Sequence, residues 1–282
     1  MNVRVILVPY DSGHHRKRMG LGPERIYEAG LKPLFTKMGV TFDCVEIALE
    51  AAFPAEIAAA FEICRGVSLH VRKCREQGWF PIVLSGNCGV AVGTVSGCGA
   101  GETGVVWFDA HGEATTPETT TSGFLDGMGI STLAGQCWRT LAMSIPGYAP
   151  VPGDRVFLFG ARDLEDAECE LLNNIGVHRP SELAELRTGL TATPGVDRIY
   201  VHFDFDVLDP LVAKGNQWTP PGGISMKILA DAIAEAGKMK EIAALGIASY
   251  NPAVDIDGRA LAAAMAATES TLRSLNDKQP LR

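Results

Sequence analysis

The sequence predicts an α/β fold in which helices cover both faces of a mostly parallel sheet. Two observations lead to this class. Short apolar runs without a helical period alternate with amphipathic segments along the chain, and the apolar runs end in glycine and polar residues, which is typical of buried parallel strands. The 282 residues are 46% hydrophobic and contain no linker, internal repeat or low-complexity tract. We therefore expect a single domain over residues 1–282.

The predicted elements alternate in type from the start of the chain to its end. Strands are expected, from the apolar runs, at 3–8, 42–48, 81–84, 105–108, 156–159, 198–203 and 242–248. Helices are expected at 23–38, about 54–77, a stretch ending near 97, one ending near 172, 226–236 and 259–275. Pro23 suits the first turn of its helix, and Ser225, with Ile224 before it, suits an N-cap.

Composition narrows the possible partners and location. A formal net charge of −8 argues against nucleic acid or an anionic membrane as a partner. No apolar run is long enough for a membrane span or a secretory leader. The seven cysteines include no CxxC pair and are expected to be reduced thiols, so a cytoplasmic location is predicted.

Two strand ends carry groups that bind metal ions. Asp109, His111 and Glu113 follow the strand at 105–108 at alternate positions, so extended geometry would direct them to one side of the backbone. Asp204 and Asp206 end a second strand in the same manner. Because ligands bind beyond the carboxyl ends of parallel strands, we expect the five residues to share one crevice. Carboxylates crowded there require a cation, and this ligand set suits Mn²⁺, Mg²⁺, Fe²⁺ or Zn²⁺.

These motifs resemble those of the ureohydrolase family, which includes arginases, agmatinases and formimidoylglutamases. The similarity covers residues 109–113 (Asp-Ala-His-Gly-Glu), 122–127 (Ser-Gly-x-x-x-Gly) and 203–210 (Phe-Asp-x-Asp-x-Leu-Asp-Pro). It implies a three-layer α/β/α arginase-like fold with a sheet of roughly eight strands, and a homo-oligomer, either a trimer or a hexamer. It also implies metal-dependent hydrolysis of a carbon–nitrogen bond in a small linear guanidino or amidino substrate.

The resemblance further implies two metal positions that share ligands. The first would be formed by Asp109, His111, Asp204 and Asp206. The second would be formed by Cys88, Asp109, Glu113 and Asp204, with Cys88 in place of a family histidine and Glu113 in place of an aspartate. Manganese is the metal that the family implies, but a thiolate favours Zn²⁺ or Fe²⁺, so one or two ions are expected.

Cys88 has more than one interpretation. It is a metal ligand or a nucleophile, or else a buried thiol at the start of a helix. The N-terminus of a helix would favour the thiolate.

Other positions depart from the family pattern at the substrate. Asp126 stands where the arginases have a histidine that transfers protons, a role that a carboxyl group fills near neutrality only if its pKa is raised. Ser249 stands in place of the glutamate that binds the guanidinium, and serine cannot form a bidentate ion pair. Thr115, Thr120 and Ser122 match positions that hold the polar end of an amino-acid substrate, or they form turns.

For several nearby residues, the preferred interpretation is a structural role. His202 is interpreted as a hydrogen-bonded core histidine rather than as a ligand. Trp107 and Trp218 are interpreted as packing residues. Arg162 and Asp163 are expected to brace the ligands. The basic loop at 14–18 is solvated, or else it supplies an imidazole from His14 or His15 or binds an anionic group of the substrate.

Three functions therefore remain open. The first is a metal-dependent hydrolase with an atypical ligand set and an unknown substrate. The second is a catalytically degenerate member with a structural, metabolite-binding or regulatory role. The third is metal-free cysteine chemistry at Cys88.

Overall fold

The computed structural model describes residues 1–50, 53 and 55–277. Its strands are β1 (Asn2–Val8), β2 (Tyr10–Asp11), β3 (His14–His15), β4 (Thr41–Glu46), β5 (Phe80–Ser85), β6 (Thr103–Phe108), β7 (Val156–Phe159), β8 (Arg198–Asp204) and β9 (Glu241–Ala248). Its α-helices are α1 (Gly22–Ile26), α2 (Lys32–Met38), α3 (Glu56–Glu76), α4 (Ala91–Cys98), α5 (Gly129–Leu133), α6 (Arg139–Ala142), α7 (Asp166–Ile175), α8 (Leu183–Ala192), α9 (Met226–Met239) and α10 (Arg259–Asn276).

Seven strands form the central sheet in the order β4-β1-β5-β9-β8-β6-β7, and every neighbouring pair is parallel. The predicted α/β class and parallel sheet are therefore confirmed. The seven strands among the described residues agree with the predicted sheet of roughly eight strands. β2 and β3 form a separate antiparallel hairpin above it.

The core lies in two layers, one on each face of the sheet. Along β1, Val3 and Val5 belong to one buried cluster, whereas Ile6 and Val8 belong to the other, as the alternation of a strand requires. The first cluster is completed by α1, α2, α8, α9 and α10, and the second by α3 to α7. This arrangement is the predicted three-layer architecture. None of the helices in the described ranges is long and apolar enough to cross a membrane.

Several helices differ from the prediction. The helix at 23–38 contains a π-helical turn, Tyr27–Leu31, between α1 and α2, because Pro33 lacks an amide hydrogen and disturbs the regular ladder. The short helices α5 and α6 were not predicted. The helix α8 was missed, since glycine and threonine weaken its pattern, although Leu183, Leu186 and Leu190 recur at helical spacing.

Parts of the prediction lie outside the described residues. These are Pro54, the predicted start of the helix at about 54–77, and residues 278–282 of the expected domain.

Four adjacent strands position the functional side chains. In the sheet order β5-β9-β8-β6, the carboxyl ends lead directly to Cys88, Ser249, Asp204 and Asp109. These residues are far apart in sequence, and the parallel pairing of the strands brings them to one edge.

Candidate metal centre

Asp109 is fixed at the end of β6 by two donors. It is fully buried, and its Oδ2 accepts a hydrogen bond from Trp107 Nε1 at 2.9 Å. Its Oδ1 accepts from the backbone amide of His111 at 2.8 Å. Because both oxygens are held, the carboxylate has one orientation, towards the crevice.

Asp204 and Asp206 tie the end of β8 to the end of β6. Asp204 is the last residue of β8, and its Oδ1 accepts from the amide of Asp206 at 2.8 Å, which starts a short 3₁₀ turn. Asp206 Oδ1 accepts from the amide of Ala110 at 3.0 Å. Asn216 Nδ2 donates to Asp204 Oδ1 at 3.3 Å. The predicted meeting of the two strand ends is therefore observed.

His111 lies between two of these carboxylates. Its Nδ1 is 3.2 Å from Asp206 Oδ2 and 3.5 Å from Asp109 Oδ1. Burial acts to lower the pKa of His111, but hydrogen bonds and charge from Asp109 and Asp206 outweigh burial and raise it to about 12. In the metal-free protein the imidazolium thus supplies the positive charge that the carboxylates require. One ligand atom from each of the three residues lies within 4.8 Å of the others, as at a metal site.

Cys88 is the centre of a second group of ligand atoms. Its thiol donates to Asp204 Oδ2 at 3.0 Å, and Sγ lies 3.3 Å from Ser249 Oγ and 3.2 Å from His202 Nε2. Burial, with the charge of neighbouring acids led by Asp204, raises the pKa of the Cys88 thiol well above its usual value. The expectation that a helix would favour the thiolate was wrong. Cys88 begins only a three-residue 3₁₀ helix, Cys88–Val90, whose effect is too small to offset burial.

Glu113 belongs to this second group, but its backbone conformation differs from the predicted one. Its φ is +50°, so the backbone leaves extended geometry and the predicted alternation does not continue to this residue. Its side chain is buried, and Oε2 has no hydrogen-bond partner among the described residues. Ligand atoms of Cys88, Glu113 and Asp126 lie within 4.8 Å of one another. An orphaned buried carboxylate oxygen in such a group fits a bound cation.

Asp126 is the second carboxylic acid in the group with Cys88 and Glu113. Its Oδ2 accepts from Asn87 Nδ2 and its Oδ1 from the amide of Gly89, both at 2.8 Å. Burial raises the pKa of Asp126 to about 7 and, with the charge of Asp206, that of Asp204 to about 8. The pKa of Glu113 is also raised well above its usual value by burial and then by Asp109. Without a cation, this cluster therefore holds protons at neutral pH.

His111, Glu113, Asp126, Asp204 and Asp206 line a cavity of about 590 Å³. Of the hydroxyl residues predicted to bind substrate, Thr115, Ser122 and Ser249 line this cavity, whereas Thr120 does not. Thr115 Oγ1 donates to the Gly127 carbonyl at 2.7 Å, and Thr120 Oγ1 accepts from the amide of Gly123 at 3.0 Å. The turn-forming alternative accounts for Thr120 in this structure.

Of two features of the cavity mouth, sequence reasoning missed the first and allowed for the second. Phe124 and Trp218 form a tilted aromatic pair with ring centroids 6.4 Å apart, and Trp218 is 55% exposed rather than packed in the core. Arg18 lines the same cavity and donates through Nε to the buried Asp11 at 2.9 Å. The basic loop offered a signal for Arg18, since it follows β1, but Trp218 had no signal in the sequence.

Arg162 has the bracing position that was predicted. Its guanidinium donates to the backbone carbonyl of Asp206 at 2.8 Å and to those of Pro220 and Pro221 at 3.1 Å. It therefore holds the turn that presents Asp206. Asp163 Oδ2 lies 3.9 Å from His111 Nε2, on the outer side of the ring.

Comparisons with known proteins agree with this arrangement. A family model described as the arginase family matches residues 1–272. The arginase of Brevibacillus brevis is 31% identical over 261 residues, covering 82% of this chain and 86% of that protein. The arginase of Bacillus subtilis (strain 168) is 30% identical over 243 residues, covering 80% and 82%. A crystal structure of arginase from Bacillus subtilis subsp. subtilis str. 168 superposes with a TM-score of 0.86 at 26% identity and covers 100% of both chains.

Proposed function

The chain belongs to the arginase family, and from this premise we propose that it is a metal-dependent hydrolase of a carbon–nitrogen bond in a linear guanidino or amidino compound. One observation carries the proposal. Asp109, Asp204 and Asp206 converge, buried, around His111 at the end of two neighbouring strands. Such a set of charges is stable when a cation joins it.

The two groups of atoms support the metal ligands that the family resemblance implies. Asp109, His111, Asp204 and Asp206 would hold one ion, and Cys88, Asp109, Glu113 and Asp204 the other. Manganese at the first position is the family expectation, and Zn²⁺ or Fe²⁺ at the second fits the thiol of Cys88. When bound, a divalent ion supplies an acidic water and polarises the bond to be cleaved.

Asp126 is the proposed proton-transfer residue. It lines the cavity, and a pKa of about 7 leaves it partly protonated near neutral pH. This is the condition under which a carboxyl group both takes and gives a proton. Asn87 and Gly89 hold its two oxygens, so its direction is fixed before substrate arrives.

The cavity favours a cationic substrate. Glu165 and Glu168 contribute carboxylates to its wall, and their field attracts a guanidinium or amidinium. Trp218 and Phe124 at the mouth provide faces on which a planar cation stacks. Ser249 lines the cavity with a single hydroxyl, which cannot form a bidentate ion pair with a guanidinium. We therefore expect arginine itself to be a weak substrate. Thr115 and Ser122 are proposed to contact the other end of the substrate.

The proposal is tested by measuring product release from guanidino and amidino compounds. The purified chain is loaded with Mn²⁺, Zn²⁺ or Fe²⁺, and ammonia or urea is assayed. Asp206→Asn is the inactive comparison, because the amide keeps the bond to Ala110 but removes the charge that faces His111. Absence of turnover on every compound, with two ions bound per chain, would contradict the proposal.

A second candidate is a degenerate relative that binds a metabolite or regulates a partner without turnover. The contacts of Cys88 favour it, since its thiol already satisfies Asp204 and adjoins Ser249 and His202. Elemental analysis separates the two candidates: one ion or none, with ligand binding but no turnover, favours the degenerate function. The raised pKa of Cys88 disfavours the third possibility, metal-free cysteine chemistry, because a neutral thiol is a poor nucleophile.

Assembly and location remain part of the proposal. We infer a single-domain, cytoplasmic chain that forms a homo-oligomer, a trimer or hexamer by family resemblance. The net charge of −8 supports a partner other than nucleic acid or an anionic membrane. Light scattering of the purified protein measures the oligomeric state.

A further inference from the structure

Three residues with possible ligand atoms surround the sulfur of Cys88. Its Sγ lies 3.2 Å from His202 Nε2, 3.0 Å from Asp204 Oδ2 and 4.0 Å from Asp109 Oδ2. All four residues are at most 3% exposed. One ligand atom each from Cys88, Asp109 and His202 lies within 4.8 Å of the others. These three residues combine one sulfur, one imidazole nitrogen and one carboxylate oxygen.

The separations around the sulfur are close to those of a zinc site. Bond lengths of about 2.0 Å to nitrogen or oxygen and about 2.3 Å to sulfur place a sulfur ligand roughly 3.5 Å from a neighbouring nitrogen or oxygen ligand around tetrahedral zinc. Cys88 Sγ lies 3.2 Å from His202 Nε2 and 4.0 Å from Asp109 Oδ2. Side-chain shifts of about half an ångström would bring both distances to the value at a zinc ion.

His202 is already oriented as a ligand. Its Nδ1 lies 2.8 Å from the hydroxyl of Tyr200, and its ring stacks on Trp107 with centroids 3.9 Å apart. These contacts leave Nε2 directed at Cys88. An imidazole whose outer nitrogen has a fixed partner is the usual form of a metal-binding histidine. Trp107 also donates to Asp109 Oδ2, so one indole positions two of the ligands.

The orphaned oxygen of Glu113 is an independent indication of a cation at this place. Glu113 is buried beside Cys88, in the group that also contains Asp126, and its Oε2 has no partner among the described residues. A positive charge next to Cys88 would satisfy this oxygen, which hydrogen bonds within the chain do not.

We infer that His202 is a ligand of the ion at Cys88, and that Cys88, His202 and Asp109 form a site that selects Zn²⁺ over Mn²⁺. A thiolate and an imidazole are ligands that zinc prefers, whereas manganese prefers an all-oxygen set. The inference rests on the metal dependence of the proposed function and specifies its second position. Binding the ion releases the thiol proton of Cys88 to the buffer and breaks the hydrogen bond to Asp204.

The test is a metal titration of the full-length, metal-free protein, read by spectroscopy. Co²⁺ is used as a coloured probe for Zn²⁺, because a thiolate bound to it gives a charge-transfer band in the near ultraviolet and four-coordination gives intense visible bands. Wild type is expected to show both signals, and Zn²⁺ is expected to displace the probe. His202→Gln is expected to lose the four-coordinate bands and to bind Zn²⁺ at this position at least about a hundredfold more weakly.

Two further variants make the result interpretable. His178→Gln is the matched control, because the His178 ring also stacks on an aromatic residue, Phe157, but bonds to Asp154 outside the site; its titration should equal that of wild type. Tyr200→Phe keeps the imidazole and removes only its outer partner, so a loss of about tenfold in Zn²⁺ affinity is expected. It tests the inference if His202→Gln fails to fold.

Three outcomes overturn the inference. The first is a wild-type Co²⁺ complex without a thiolate band, and the second is a folded His202→Gln with unchanged bands and Zn²⁺ affinity. The third is a loss confined to Glu113→Gln, which would assign the coordination position to Glu113 instead. None of these measurements uses turnover, so absence of hydrolysis with an intact thiolate–imidazole spectrum would reject only the proposed function.

Discussion

The Cys88 thiol donates a hydrogen bond to Asp204 Oδ2 over 3.0 Å. This bond joins the end of β5 to the end of β8 and occupies the region in which a second metal ion would lie. Protons and metal ions therefore compete for the same atoms, and the following predictions depend on that competition.

Metal affinity should rise steeply with pH. The pKa of Asp204 is about 8 and that of Asp126 is about 7, and burial is the main cause in both cases. Burial also raises the pKa of the Cys88 thiol well above its usual value. Each proton must leave before its atom binds a metal ion. Calorimetry in buffers of different ionisation enthalpy should show proton release on Zn²⁺ binding, and affinity should increase between pH 6 and pH 9. A pH-independent affinity would contradict the competition.

The metal-free protein should lose stability as the pH rises. The pKa of Asp204 is raised to about 8 and that of His111 to about 12, so the folded state holds protons that the unfolded state has lost. Stability from both groups is complete below their unfolded pKa values, about 3.9 and 6.5, and falls above them. A loss of about 2 kcal/mol between pH 5 and pH 8 would lower the melting temperature by roughly 4–8 °C.

Thermal melts in the presence of a chelator measure this effect. Asp204→Asn is the matched variant, since it removes the titrating group and should flatten the pH dependence. A melting temperature that rises from pH 5 to pH 8 without metal would show that the sign is wrong.

Restoring the family ligands should change the metal preference. In the double variant Cys88→His with Glu113→Asp, an imidazole replaces the thiol and a shorter carboxylate replaces the longer one of Glu113. A second Mn²⁺ is therefore expected to bind. Elemental analysis after dialysis against Mn²⁺ gives the count per chain. Cys137→His is the control, because Cys137 is also a buried free thiol but contacts Ser131 and Thr132 instead of the site. An unchanged Mn²⁺ count in the double variant would mean that more than these ligands was lost.

Asp126→Asn should impair proton transfer more than folding. The amide retains an oxygen for Gly89, but it cannot exchange a proton, so kcat on a substrate found in the assay should fall about 10²–10⁴-fold. KM should change little. The limb near pH 7 in the pH profile of kcat should disappear. Retention of that limb would assign it to another group.

Trp218→Ala should act on substrate binding alone. Trp218 is 55% exposed at the cavity mouth, so the free energy of unfolding should be nearly unchanged. Loss of stacking with a cation costs about 0.5–1 kcal/mol at exposed sites, so KM should rise roughly two- to fivefold at constant kcat. Trp79→Ala is a comparison, since Trp79 stacks with Arg4 outside the cavity. An equal effect in both variants would remove Trp218 from the site.

The fold and the grouping of Asp109, His111 and Asp206 could be predicted because their signals are local. Asp109 and Asp206 follow apolar runs directly, and parallel strands present their ends at one edge. The contact between His202 and Cys88 could not be predicted, since it depends on how β8 is placed beside β9 and β5. Glu113 was assigned to the right region for the wrong reason, because its left-handed backbone is not visible in the alternation of residue types.

The placement of β9 between β5 and β8 has a consequence for the order in which the site forms during synthesis. β9 is the last strand in the chain, whereas β6 and β8 pair directly with each other. The group of Asp109, His111 and Asp206 can therefore form before β9 is in place. The approach of Cys88 to Asp204 depends on β9, because this strand fills the position between β5 and β8.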